Sequence, residues 1–226
     1  MTVTLLSNFH RTVSVFAPVK VERSNGKLIY EREGLRKILP ECEIVVNPVE
    51  PVNLPKNVTR YLEVEFPPIL LRPNSTETIY LKFPIEIGVF AKYGDKVTVV
   101  DVFSYEKPKY TLYGSPRRGV VCRWFFSEVH YDIPEVDRLR HGVMRLDIRN
   151  GGDWVEVGKV VLDCYAMKIY YDSFASCWAE MRVISKSVAV TDFLDRPIAK
   201  GMKKALELYT TRRLMGKSFT MEWGLI

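Results

Sequence analysis

Three groups of residues in this 226-residue chain have the types and spacing to do chemistry. The first is Gly114-Ser115-Pro116-Arg117-Arg118-Gly119, where glycine and proline set a tight turn and two adjacent guanidiniums offer forked donors to phosphate or carboxylate. Arg123 follows on the next predicted strand and extends this anion-binding set. The plain alternative is a solvated hairpin turn whose arginines need no partner. The second group is Lys200, Lys203, Lys204, Arg212 and Arg213 near the carboxyl end, cations suited to the phosphates of RNA, DNA or lipid head groups. Its plain alternative is an amphipathic helix that carries basic residues toward its negative end. The third is Glu128, His130 and Asp132, which share a face if residues 120–132 form one strand and could there hold a metal or act in acid–base chemistry. No second cluster supplies the remaining ligands, so the metal set is incomplete.

Other signals of catalysis are missing. His10 and His141 stand isolated, and the chain contains no Gly-rich phosphate loop, H-E-x-x-H pair or G-x-S-x-G elbow. No catalytic residue or cofactor is assigned. Cys42, Cys122, Cys164 and Cys177 form no C-x-x-C pair, which removes the zinc-knuckle and thioredoxin-type classes. Their expected state is a buried thiol, with a Cys164–Cys177 disulfide left open by the spacing.

The elements that position these residues read as β. Apolar runs bounded by Gly, Pro, Asn and Ser recur at 27–31, 43–46, 60–66, 78–83, 85–91, 96–103, 120–131, 143–148, 154–163, 166–171 and 176–190, with an earlier one at 12–21. Residues 60–66 alternate, with Leu62, Val64 and Phe66 on one face and Tyr61, Glu63 and Glu65 on the other. Asn25-Gly26 suits a type I′ hairpin, and Gly94-Asp95 and Asn150-Gly151-Gly152-Asp153 mark further turns. The expected fold is therefore mainly β, an antiparallel β-sandwich with one C-terminal amphipathic α-helix. That helix would start at an Asp195 N-cap and end near Gly216, with Ile198, Met202, Ala205, Leu206 and Tyr209 as its apolar stripe. A single β-rich domain over 1–226 is expected, the alternative being two β units at 1–114 and 115–226.

Net charge is +6, and its placement is uneven. Arg196, Lys200, Lys203, Lys204, Arg212, Arg213 and Lys217 face one acid, Glu207, so this segment equals the whole excess. No apolar stretch approaches the roughly 18–20 residues a spanning helix needs, and the amino terminus lacks a secretory pattern. A cytoplasmic location without a membrane span is the expectation.

Several longer segments carry a resemblance. Asn47-Pro48-Val49-Glu50-Pro51-Val52-Asn53-Leu54-Pro55-Lys56 is one, and Tyr80-Leu81-Lys82-Phe83-Pro84-Ile85-Glu86-Ile87-Gly88-Val89-Phe90 is another. Lys107-Pro108-Lys109-Tyr110-Thr111-Leu112-Tyr113-Gly114 and Met221-Glu222-Trp223-Gly224 complete the set. Together they resemble the archaeal proteins grouped as domain of unknown function family 432. The resemblance implies an archaeal, thermophilic, cytoplasmic protein, and it brings no activity, cofactor or catalytic residue.

The function expected from these residues is non-catalytic: a basic surface presented to an anionic macromolecule, RNA or the ribosome first. Tyr110, Tyr113 and Trp124 would stack on bases. Two alternatives stand beside it. One is a structural or regulatory homodimer paired through sheet edges. The other is a metal- or ligand-binding enzyme using Glu128, His130 and Asp132.

Overall fold

The structure, a computed structural model, describes residues 19–208 and 218–225. Runs rich in Val, Ile, Leu and aromatic residues become strands along nearly all of it. In chain order the first are β1 (Val19–Ser24), β2 (Lys27–Arg32), β3 (Leu35–Pro40), β4 (Glu43–Val49), β5 (Tyr61–Leu71) and β6 (Ser75–Pro84). Next come β7 (Glu86–Tyr93), β8 (Lys96–Phe103), β9 (Lys109–Tyr113), β10 (Val120–Phe126), β11 (His141–Asn150) and β12 (Val155–Asp163). A single 3₁₀ turn at Cys164–Ala166 precedes β13 (Tyr170–Tyr171), β14 (Ala175–Ser185), β15 (Val188–Leu194), β16 (Lys203–Lys204) and β17 (Phe219–Met221).

These strands make four sheets. β1, β2 and β3 form an antiparallel meander, and its Asn25-Gly26 turn has φ of 50° and 70°, the two positive values a type I′ turn requires. β4, β7 and β8 form a second antiparallel sheet. The third runs β12-β5-β10-β9, and the fourth is built around β14-β11-β6 with β13, β15, β16 and β17 attached. β5 and β6 are consecutive in sequence yet enter different sheets, so the chain turns a corner at residues 72–74. Both larger sheets combine strands from either side of residue 115. Leu62, Val64 and Phe66 from the third sheet and Ile79, Leu81, Met144 and Leu146 from the fourth belong to one buried apolar cluster.

Two expectations are corrected. The sheets are not antiparallel throughout, because β10 runs parallel to β5 and β14 parallel to β11, which makes both larger sheets mixed. The C-terminal α-helix is absent from the described part of its span, residues 195–208. Backbone groups there are satisfied by distant strands instead. Lys203–Lys204 pairs with Tyr170–Tyr171, Ala205 N donates to Ile169 O at 2.9 Å, and Leu206 N donates to Asn47 Oδ1 at 3.2 Å. Gly201 adopts φ of 88°, a left-handed conformation that stops a helix. Asp195, the expected N-cap, instead accepts from Lys204 Nζ at 2.6 Å and Tyr170 Oη at 2.8 Å. The helical spacing of apolar residues was coincidental. Tyr209, Arg212, Arg213, Gly216 and Lys217 lie outside the described residues, as do His10 and most of 12–21.

All four cysteines are buried, unbridged thiols. Among the described residues no helix is long and apolar enough to cross a membrane.

Candidate functional site

The β9–β10 hairpin concentrates unbalanced charge. Between residues 107 and 127 the sequence carries Lys107, Lys109, Arg117, Arg118 and Arg123 and no acid. β9 closes one edge of its sheet, so the hairpin has solvent on one side. The connecting turn is tied down by its backbone: Arg118 N and Gly119 N both donate to Ser115 O, at 3.2 and 2.6 Å. Gly114 sits at φ of 95°, and a Cβ there would lie 2.9 Å from the Trp223 ring. This turn holds Arg117 and Arg118 outward, both exposed.

Lys107 and Lys109 are also exposed, at the other end of the hairpin. None of these four cations enters an ion pair among the described residues. Lys109 and Trp124 are cross-strand partners, with Nζ 5.5 Å from the ring centroid, a cation–π contact. Trp124 Nε1 donates to Glu65 Oε2 at 2.8 Å, which fixes the indole. Tyr110 is 39% exposed on the opposite face, its hydroxyl donating to Leu54 O at 3.3 Å.

Arg123 is placed differently from the other hairpin cations. It is buried, and its Nη1 donates to both Pro51 O and Glu86 Oε1 at 2.7 Å. Glu86, fully buried at the start of β7, also accepts from Asn53 N at 3.1 Å and Leu54 N at 3.3 Å. Burial pushes the Glu86 carboxyl up to about 7, against the opposing pull of the Arg123 guanidinium and the backbone donors. Arg123 Nη2 is buried with no hydrogen-bond partner among the described residues. The arginine therefore clamps the 51–54 segment to β10 with one nitrogen and leaves another unused.

The other sequence candidates do not converge. Lys200 and Lys203 are exposed, while Lys204 is bound to Asp195 at 2.6 Å and lies 3.8 Å from Glu207. Arg212 and Arg213 lie outside the described residues. β10 ends at Phe126, so Glu128, His130 and Asp132 do not share a strand face. Glu128 and Asp132 are exposed, and His130 pairs through its backbone with Tyr80. Among the described residues no group of His, Cys, Asp and Glu is arranged to hold a metal ion.

Residues 13–222 match the model of a protein family described as Protein of unknown function (DUF432). The chain belongs to that family. No curated protein and no solved structure matches it. In this DUF432 chain the site residues not singled out from sequence are Lys107, Lys109 and Glu86. The first two were signalled by the acid-free stretch from Lys107 to Ser127. Glu86 had no local signal, because its partner lies 37 residues away.

A second arginine-bearing surface carries carboxylates among its arginines. Trp178 is stacked between Arg145 and Arg196, whose guanidinium carbons lie 3.9 and 3.6 Å from its ring centroid. Asp147 accepts from Trp178 Nε1 at 2.9 Å and Arg145 Nε at 3.0 Å. Arg149 and Arg182 both approach Glu180. Four guanidiniums here share two carboxylates, Asp147 and Glu180, whereas the four exposed hairpin cations have none among the described residues.

Proposed function

We propose that the protein is a non-catalytic RNA-binding protein that docks through the β9–β10 hairpin. One observation supports it above the rest: Lys107, Lys109, Arg117 and Arg118 lie exposed on a sheet edge without carboxylate partners among the described residues, beside Tyr110 and Trp124. Lysines and arginines neutralise phosphates and release counterions, and aromatic faces stack on bases without regard to sequence. Lys200 and Lys203 remain auxiliary candidates. Arg123 and Lys204 leave the outward-facing set, since each already faces a carboxylate. The ribosome is the RNA partner to test first, which would place the protein in the cytoplasm.

Salt dependence provides the test. Four neutralised phosphates of a single strand give a slope of about −3 in log K against log salt. Arg117→Gln combined with Arg118→Gln should halve that slope to about −1.4. A wild-type slope near zero, or one unchanged in the variant, overturns the assignment.

A homodimer also has a specific observation behind it: β9 is an edge strand without an outer partner among the described residues, and the cross-strand partners Leu112 and Val121 are 47% and 45% exposed. Pairing two such edges brings like charges together, so association would strengthen with salt. Sedimentation as a monomer at both low and high salt removes it.

A further inference from the structure

We infer that the protein holds one unpaired nucleobase in a slot between the β9–β10 hairpin and β17, with Trp223 as the stacking face. The inference rests on the RNA reading and adds to it the part of the nucleotide that the cations do not hold. The slot has a volume of about 220 Å³, is walled by Tyr113, Phe219 and Trp223, and is bordered by Arg118, Thr220 and Glu222. It is smaller than the roughly 300–1,000 Å³ of pockets for drug-sized ligands and suits a single flat ring.

The walls are aromatic and fixed. Trp223 N donates to Tyr113 Oη at 3.0 Å and Trp223 O accepts from it at 2.8 Å, so one buried hydroxyl holds the backbone of residue 223 at both ends. The Tyr113 ring meets the indole edge to face, with centroids 5.7 Å apart, and meets Phe219 at the same spacing. Gly114 lets the turn lie against the indole, since a Cβ there would be 2.9 Å from the ring. Even so, Trp223 is 39% exposed. A large ring locked at the surface has given up its rotamer freedom before a ligand arrives, so stacking on it costs little ordering. Both hydrogen bonds are made by the backbone, and the fold could draw them from another residue type at 223.

Arg118 favours a nucleotide over an uncharged ring. It is exposed at the border of the slot, where its guanidinium can take the phosphate attached to a seated base. Glu222, the acid at the same border, is an acceptor, suited to base N–H groups and not to phosphate. The slot also opens on the side of the hairpin that carries Lys109 and Trp124. Alternate residues of a strand share a face, and Lys109–Trp124, Thr111–Cys122 and Tyr113–Val120 are successive pairs on one face. The first pair lies four residues, about 13 Å, from the last. A strand with one base in the slot therefore reaches Lys109 without crossing the sheet.

The test measures, by fluorescence anisotropy, a single-stranded RNA and an oligomer of the same length and charge that carries no bases. Trp223→Ala should bind the RNA about tenfold more weakly than wild type and the base-free oligomer equally well. It should also keep the wild-type slope of log K against log salt, because stacking releases no counterions. Trp223→Phe, which keeps a ring, should recover most of the loss. Arg117→Gln with Arg118→Gln should weaken both oligomers and lower the slope. Melting transitions check the folding of each variant; should Ala loosen the turn, Trp223→Leu fills the space without a flat face and supports the same comparison. Unchanged RNA affinity in the Trp223 variants overturns the slot and leaves the hairpin docking standing. Equal losses on both oligomers with a lowered slope also overturn it, since Trp223 would then only hold the arginine turn in place. No RNA binding by the wild type at low salt overturns the docking and the slot together.

Discussion

Replacing Glu86 by Gln should change how the protein's stability responds to pH, and the size of the change follows from where the carboxyl sits. Its ordinary pKa of 4.5 rises to about 7 in the fold, chiefly through burial. Between those values the folded protein keeps a proton that the unfolded chain has already released. This carboxyl's contribution to stability therefore falls as pH climbs through that window. An interval of about 2.5 pH units corresponds to about 3.4 kcal/mol in total, of which about 2.5 kcal/mol is lost between pH 5 and pH 8. Gln keeps an acceptor for the Asn53 and Leu54 N–H groups and cannot titrate. Urea unfolding of both proteins at pH 5 and pH 8 should show the wild type losing about 2.5 kcal/mol more than the variant across that range. Should Gln leave too little folded protein, Glu86→Met with Arg123→Met removes both charges and supports the same comparison. Parallel pH profiles for wild type and variant would refute the assigned ionisation.

Three further outcomes follow from packing. Tyr113→Phe removes a hydroxyl that donates to Trp223 O at 2.8 Å and accepts from Trp223 N at 3.0 Å, so it should cost about 1–2 kcal/mol in urea unfolding. An unchanged midpoint would mean that residues 218–225 are not held there. Gly142→Ala would place a methyl 2.7 Å from the Phe83 ring and 2.9 Å from Ala175 O, between two paired strands, and should destabilise by about 1–3 kcal/mol. Folding stability equal to wild type contradicts that register. Cys164 and Cys177 are buried with thiols pushed well above their ordinary range, and burial lifts Cys122 to about 12, so a thiol reagent should label them only after urea is added. Labelling of the native protein at Cys164 or Cys177 is the contrary result.

The strands were legible because their periodicity is a local property. Leu62, Val64 and Phe66 alternate with charged neighbours, and all three are buried as that pattern dictates. The polar side of the same strand was less readable. Glu63 is only 2% exposed and is paired with Lys159 Nζ at 3.0 Å, which no window of ten residues contains. Arg123 failed for a similar reason. Alternation shows that it points away from Cys122 and Trp124, but the Pro51 carbonyl that covers it lies 72 residues away. The C-terminal helix failed for the opposite one, since its local pattern was good and its backbone partners, Ile169 and Asn47, were distant. Lys107 and Lys109 required counting where acids are missing as well as where bases cluster.

The buried Arg123–Glu86 pair has a use that stability does not explain. Taking both charges out of water costs more than a well-packed apolar pair of similar volume, and the raised Glu86 pKa reflects part of that cost. What the pair provides is position. It joins β10 to the start of β7 and to the Pro51 carbonyl, while Tyr110 ties β9 to Leu54 in the same segment. Both strands of the hairpin are thus anchored to one stretch of chain, residues 51–54, from a sheet edge that would otherwise be held by a single neighbour, β5. An edge hairpin anchored on both strands keeps its four outward cations at fixed spacing, as a phosphate backbone requires. An apolar pair could bond neither the Pro51 carbonyl nor the Asn53 and Leu54 N–H groups, which is why charged residues fit these two positions better than hydrophobic ones of similar size.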